Sequence, residues 1–401
     1  MSASHGFVNR HIMGCSAFCV TFGITASSTL SREVFRTFRQ DDYRTGLARL
    51  AWYARRRFPR LDMSTDPLHL FCAGMQTHEL DAMRAFLSRQ SGHLAPEVLL
   101  GELSVTSAIV AQETFGTPRY ASDIARLRGD AGALLEHGLR KLSRGEEPPR
   151  GDQLYPEPRP RRQALEGSKA EEALRDTVKL LEAEGFRPFI LSGTLLGAVR
   201  EGGILEHDYD IDLGLIAEET DLMRLEEVLR HAADFRDLRK EYQSLIVDDP
   251  QGQRRDDIPV VYKISHNNGG TVDIFLHYSE GGAIWHGTTL YRWSNSPFTL
   301  SPRHLAGIRV LAPANAEQNL AENYGDWQKP KYAFHCALDT PNLVLHRGTL
   351  ALAVAVRRLA MLYKRPEDAA RLIAQMEAAE FIEQTEPSGW RVQETAFAPV
   401  S

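Results

Sequence analysis

Cysteine is scarce: Cys15, Cys19, Cys72 and Cys336 are the four in a chain of 401 residues. They have no zinc-ligand spacing and are too few for a disulfide framework, which fits a reducing compartment. Excess positive charge is also missing. A net charge of −6 argues against wholesale nucleic-acid binding and leaves any basic surface local. A convincing membrane segment is the third absence. Ile12–Ser31 carries no charge, but it holds seven Ser or Thr and two Gly, and no small-residue cleavage site follows. The expectation is a cytoplasmic chain with at most peripheral contact to an anionic membrane, through Arg55-Arg56-Arg57 near the end of an amphipathic helix over 32–58. Those arginines also suit a helix C-terminus, where they offset the dipole.

What remains is an ordinary globular composition, with 43% hydrophobic and 25% charged residues. The length suggests two or three domains. Helical periodicity recurs near Pro67–Arg89, Pro96–Phe115 and Ser122–Ser143, so residues 1–143 read as an α-helical accessory domain. His69, His78 and His137 lie in it without ligand spacing. Residues 144–167 carry Pro148, Pro149, Pro156, Pro158 and Pro160 among Arg, Glu and Gly, and read as a linker. A catalytic domain follows over 168–342. Residues 343–401 read as a helical extension, with Gly389 onward frayed.

The chemistry is concentrated between Leu191 and Gly214. Asp208, Asp210 and Asp212 alternate with Tyr209, Ile211 and Leu213, which in a strand places three carboxylates on one face. Three close anions repel one another unless a cation sits among them. Oxygen-only ligands select a hard ion, Mg²⁺ or Mn²⁺, and the strand reads as a sheet edge. Just before it, Phe189-Ile-Leu191 reads as a strand and Thr194–Arg200 as a helix, with Ser192-Gly193 at the turn. Backbone N–H groups and the helix dipole there suit a phosphate, so Ser192, Gly193 and Thr194 are candidate phosphate contacts. Arg200 and Lys263 are candidate clamps on the same anion.

The run Ser192-Gly-Thr-Leu-Leu-Gly-Ala-Val-Arg200 through Asp208-Tyr-Asp-Ile-Asp212 resembles the signature of the LicD/fukutin-related family. The resemblance covers roughly Glu171 to Asn342 and includes Tyr324-Gly-Asp-Trp327. It departs where Glu206-His207 and Tyr209 stand, at positions commonly Pro-Trp and Asp. It implies a nucleotidyltransferase-like palm, an α+β fold with a mixed sheet and covering helices. It also implies Mg²⁺-dependent transfer of a phospho-alcohol, phosphocholine or a polyol phosphate, from a CDP-linked donor to a glycan hydroxyl. Val272-Asp-Ile-Phe275 looks like the family's third-carboxylate segment. Asp273 would then complete the metal shell or take the acceptor's proton. Asp210, Asp212 and Asp273 are the candidate catalytic residues, with Asp208 a further metal ligand.

Two other functions share the same residues. The site could move a nucleotidyl group from an NTP to a small molecule or protein, or the palm could be a non-catalytic scaffold. Three retained acids argue against the scaffold. Trp285-His-Gly287 and Trp293–Phe298 form an aromatic region suited to a base or sugar, although core packing uses aromatics more often. Asp326 reads either as an acceptor-side residue or as part of a turn.

Overall fold

The computed structural model describes residues 67–72, 75–89, 96–144 and 167–397, apart from 206, 207, 209, 251, 332, 333, 335, 363, 364 and 386–388. Ile12–Ser31, the arginine-rich helix, most of the linker, Glu206-His207 and Tyr209 lie outside them. The chain divides into two compact units, residues 1–154 with 356–364, and residues 155–355 with 365–401.

In the first unit the described N-terminal part is helical: α1 (Pro67–Cys72), α2 (Thr77–Ser88), α3 (Pro96–Glu113) and α4 (Tyr120–Arg144). The single helix expected over Pro67–Arg89 is two, because Glu79 reaches back to the Gln76 N–H at 3.0 Å and starts a new helix there. α3 is apolar around most of its circumference and is accordingly buried, with Val105, Ala108 and Ile109 inaccessible. His137 lies 3.1 Å from the buried carboxylate of Glu97, which also accepts from Lys141 at 2.9 Å. Its role there is structural.

The second unit is built on a ten-stranded mixed sheet. α5 (Gly167–Ala183) buries Leu174, Val178 and Leu181 against it. β1 (Phe189–Ile190), α6 (Ser192–Arg200) and β2 (Asp210–Ile216) follow, then α7 (Leu222–His231), started by Asp221 accepting from the N–H groups of Met223 and Arg224. β3 (Phe235–Asp249) and β4 (Gly252–His266) form a long ribbon, and β5 (Thr271–Glu280) returns through a turn in which Gly269 has φ +97°. β6 (Ala283–Gly287), β7 (Tyr291–Asn295), β8 (Leu300–Leu305), β9 (Ile308–Pro313) and α8 (Ala316–Tyr324) come next.

β2 is not an edge. It lies between β1, antiparallel, and β5, parallel, so its Ile211 and Leu213 are fully buried. One side of β5 is shared, with β4 pairing its first half and β6 its second. Periodicity found only Pro259–Ser265 of the ribbon, because charges at Arg236, Arg239, Lys240 and Glu241 mask the alternation of β3. The expected helical extension is also mixed. Leu343–Leu345 is a strand on β7, Thr349–Leu359 and Pro366–Ala378 are helices, and Ile382–Thr385 pairs with Gly389–Val392, where fraying was expected.

The sheet closes tightly at Gly214. A Cβ there would stand 2.4 Å from the Phe189 ring and 2.8 Å from His277 Cε1. Neither ring is free to move, since both are buried within an aromatic cluster. Gly214→Ala is expected to destabilise the protein by about 2–3 kcal/mol. A lower denaturant midpoint at unchanged m-value checks it; an unchanged midpoint would mean the cluster yields.

Candidate functional site

The acids are gathered by strand register. Asp212 on β2 lies directly opposite Asp273 on β5, and Asp273 directly opposite Lys263 on β4, so these three side chains share one face of the sheet. Asp210 is one pleat along, beside Thr271. Asp208 reaches the same place from the segment leading into β2. Its Oδ2 would be only 2.6 Å from a Cβ at position 193, and Asp212 Oδ2 would be 3.5 Å from it. Gly193 is therefore required by the carboxylates themselves: any side chain would occupy the space into which they converge.

The turn before α6 is built for this contact. Ser192 has φ +46°, an uncommon conformation for a residue with a Cβ, at a cost of about 1–2 kcal/mol. The bend aims the Gly193 N–H at Asp212 Oδ2, 3.1 Å away. The helix N-terminus expected to hold a phosphate thus faces one of the protein's own carboxylates. Thr194 is fully buried and its hydroxyl accepts the Asp212 N–H at 2.9 Å, so it fixes the backbone of the acidic strand. Arg200 lies at the far end of α6, roughly 10 Å along the axis. Its guanidinium donates to the Trp327 carbonyl at 3.2 Å and to Glu201 at 2.9 Å, and it is not brought to the acids.

Crowding sets the electrostatics. Burial, then the charges of Asp273 and Asp208, push Asp210 up to about 8. Burial and the other three acids hold Asp212 well above the usual carboxylate range, against the opposing Gly193 N–H. Burial also raises Asp273, although Lys263 donates to it and lowers its pKa in part. Lys263 lies 3.7 Å from Glu241 as well, and these partners keep it charged against the desolvation that burial imposes.

Among the described residues no three His, Cys, Asp or Glu side chains stand ready as a metal shell. The donor set nevertheless fits a hard divalent cation. It is all oxygen, two of its carboxylates, Asp208 and Asp212, border the space kept open at Gly193, and a cation would remove the repulsion among the acids.

Tyr324 was quoted in sequence only as part of a motif, yet it belongs to the site's surroundings. It ends α8, which packs against α6, and burial, with the charges of Asp212 and Asp208 after it, holds its phenol well above the ordinary range. Glu322, two residues earlier, accepts from the Ser296 hydroxyl and Asn295 and ties α8 to the end of β7. Asp326 pairs with Lys329 at 2.6 Å in an exposed turn. The aromatic region is packed: Trp285 stacks on Tyr278 at 4.9 Å and lies under Arg292, while His286 stacks between His277 and Trp293.

Residues 185–315 match the sequence profile described as LicD/FKTN/FKRP, nucleotidyltransferase domain. Mouse ribitol 5-phosphate transferase FKRP is 29% identical over 177 residues, 40% of this chain and 33% of that protein. Mouse ribitol-5-phosphate transferase FKTN is 25% identical over 182 residues, 44% of this chain and 36% of that protein. An uncharacterized protein of Rickettsia typhi is 27% identical over 169 residues, 39% of this chain and 45% of its own. The chain thus spans less than half the length of each of these relatives. The profile contains the turn at Ser192-Gly193, all four acids and Lys263, the same residues that the fold gathers on one face. Over residues 185–315 this chain is thus similar to the LicD/fukutin-related family.

Proposed function

We propose that the protein transfers a phospho-alcohol of the polyol-phosphate type from a CDP-linked donor to a glycan hydroxyl, with the mixed sheet as a nucleotidyltransferase-like palm and the N-terminal helices as an accessory domain. The observation that carries this reading is the gathering of Asp210, Asp212 and Asp273 by strand register, with Asp208 and Asp212 bordering Gly193. The names of the mouse relatives favour a polyol phosphate over phosphocholine.

Asp208, Asp210 and Asp212 would hold Mg²⁺ or Mn²⁺, which supplies charge neutralisation for the donor's diphosphate. The acceptor oxygen bonds to the phosphorus bearing the alcohol. That phosphorus separates from the bridging oxygen, which leaves with the electron pair on CMP. The hydroxyl proton passes to Asp273, whose raised pKa suits a base. Lys263, which donates to Asp273, would offer a fixed positive charge to the phosphate and holds that carboxylate in place.

Incubation with Mg²⁺, a CDP-alcohol such as CDP-ribitol and a glycan acceptor is expected to release CMP and leave the alcohol phosphate on the glycan. Pyrophosphate from an NTP, with nucleotide left on the acceptor and no CMP from any CDP-alcohol tried, would replace this reading with nucleotidyl transfer. The described residues include no helix long and apolar enough to cross a membrane.

A further inference from the structure

A register shift reshapes the start of β3. Arg236 pairs with Ser265 and Arg239 with Lys263, so three residues of β3 run against two of β4. In a regular strand an odd spacing would send Arg236 and Arg239 to opposite faces. The bulge instead puts both on the face that carries Lys263 and Ser265. Their neighbours point the other way: Leu238 packs on the core, and Lys240 pairs with Glu226 of α7 at 2.6 Å.

Followed across the sheet, this face forms two rows. Arg239, Lys263, Asp273 and Asp212 stand opposite one another in turn on β3, β4, β5 and β2. One pleat along, Arg236, Ser265, Thr271 and Asp210 do the same. Charge thus runs from acid on β2 to base on β3, which among the described strands pairs with β4 alone. Both arginines are exposed there. Strand spacing sets their backbone about 10 Å from β5 and about 14 Å from β2. Glu241 shares the face, but it accepts from the Thr289 N–H at 3.1 Å and lies 3.7 Å from Lys263.

We propose that Arg236 and Arg239 form an anion subsite for the acceptor, so that the protein selects a glycan bearing an acidic group, phosphate or carboxylate, on the side away from the donor. This deepens the transferase reading and rests on it for naming the ligand as the acceptor. In that reading the cation and the donor's diphosphate sit at the β2 end of the rows, beside Gly193. Attacking and leaving oxygens stand in line across the phosphorus, so the acceptor enters from the opposite side, over β4 and β3. The arginines are too far from β2 to hold the diphosphate there, and they lie along the acceptor's path. Guanidinium forks bind phosphate and carboxylate through paired hydrogen bonds, whereas a neutral sugar offers them no charge.

The test uses the full chain with Mn²⁺ and saturating CDP, which fill the donor end, and calorimetry with glucose 6-phosphate, glucuronic acid and glucose as probes. Wild type is expected to bind an acidic probe at least about 10-fold more tightly than glucose, and the Arg236→Gln/Arg239→Gln protein to lose that preference. CDP affinity, Mn²⁺ affinity and the melting temperature are expected to stay at wild-type values in the variant. Preference for glucose 6-phosphate alone supports the subsite as a phosphate site, and preference for glucuronic acid alone as a carboxylate site. Equal binding of the three probes by wild type, binding of none, or an acidic preference kept by the variant would overturn the inference. So would a loss of CDP affinity in the variant, which would assign the arginines to the donor. If wild type prefers an acidic probe but releases no CMP from any CDP-alcohol, the transferase reading fails while the anion subsite stands.

Discussion

Asp210→Asn and Asp212→Asn are each expected to lower transfer by at least about 10³-fold, because each removes a ligand charge while keeping nearly the same volume. The same substitutions are expected to raise stability in the metal-free protein. An Asp210 side chain in the unfolded chain loses its proton near the usual carboxylate pKa, whereas in the fold it keeps the proton up to about pH 8. The unfolded chain therefore binds fewer protons across that window, and wild-type stability declines as pH rises through it. Asparagine has nothing to ionise. The Asp210→Asn protein should accordingly be more stable than wild type by about 1–3 kcal/mol at pH 8, with the gap closing towards pH 4. Excess Mn²⁺ should reverse the order by stabilising wild type more than the variant. Denaturation at several pH values, with and without Mn²⁺, decides it. A variant less stable than wild type without metal at pH 8, or one with wild-type turnover at saturating Mg²⁺, would remove that residue from the cation site.

A second large effect lies on the same face of the sheet, where His277 and His286 stack 4.6 Å apart, next to Phe189, Phe298 and Trp293. Burial, with each other's charge for His277, holds His277 well below its ordinary range and His286 at about 3. Burial and the nearby Arg292 hold His346 at about 4. All three stay neutral in the fold at pH 5, while the same histidines in the unfolded chain take up a proton below about 6.5. Stability is thus full above that value and is lost as pH falls through the window below it, by about 2 kcal/mol per histidine at pH 5. The acids act in the opposite sense, so the useful quantity is a difference. The stability of wild type relative to His286→Phe should fall by about 2 kcal/mol between pH 7.5 and pH 5. Parallel curves would mean that His286 is charged or hydrated in the fold.

The acidic strand was legible because a two-residue period survives in any strand that buries one face, and Asp208, Asp210 and Asp212 carry it openly. Asp273 was legible for the same reason, through Val272, Ile274 and Leu276. The position of β2 inside the sheet was not, since neighbours are chosen by tertiary pairing and Ile211 and Leu213 would look the same at an edge. Thr194 and Arg200 read as ligand contacts on residue type alone. Their real partners, the Asp212 N–H and the Trp327 carbonyl, lie 18 and 127 residues away and leave no local signal.

Docking of α6 makes the site a late product of folding. α6 carries Gly193 to the acids at one end and is held at the other by Arg200 on Trp327, a contact that closes 127 residues of chain. Closure over such a length comes only after the intervening sheet has formed, so the strands can pair before α6 is fixed at its far end. The same order runs backwards in local opening. Release of the Trp327 segment would free the far end of α6 while the strand register keeps the acids together.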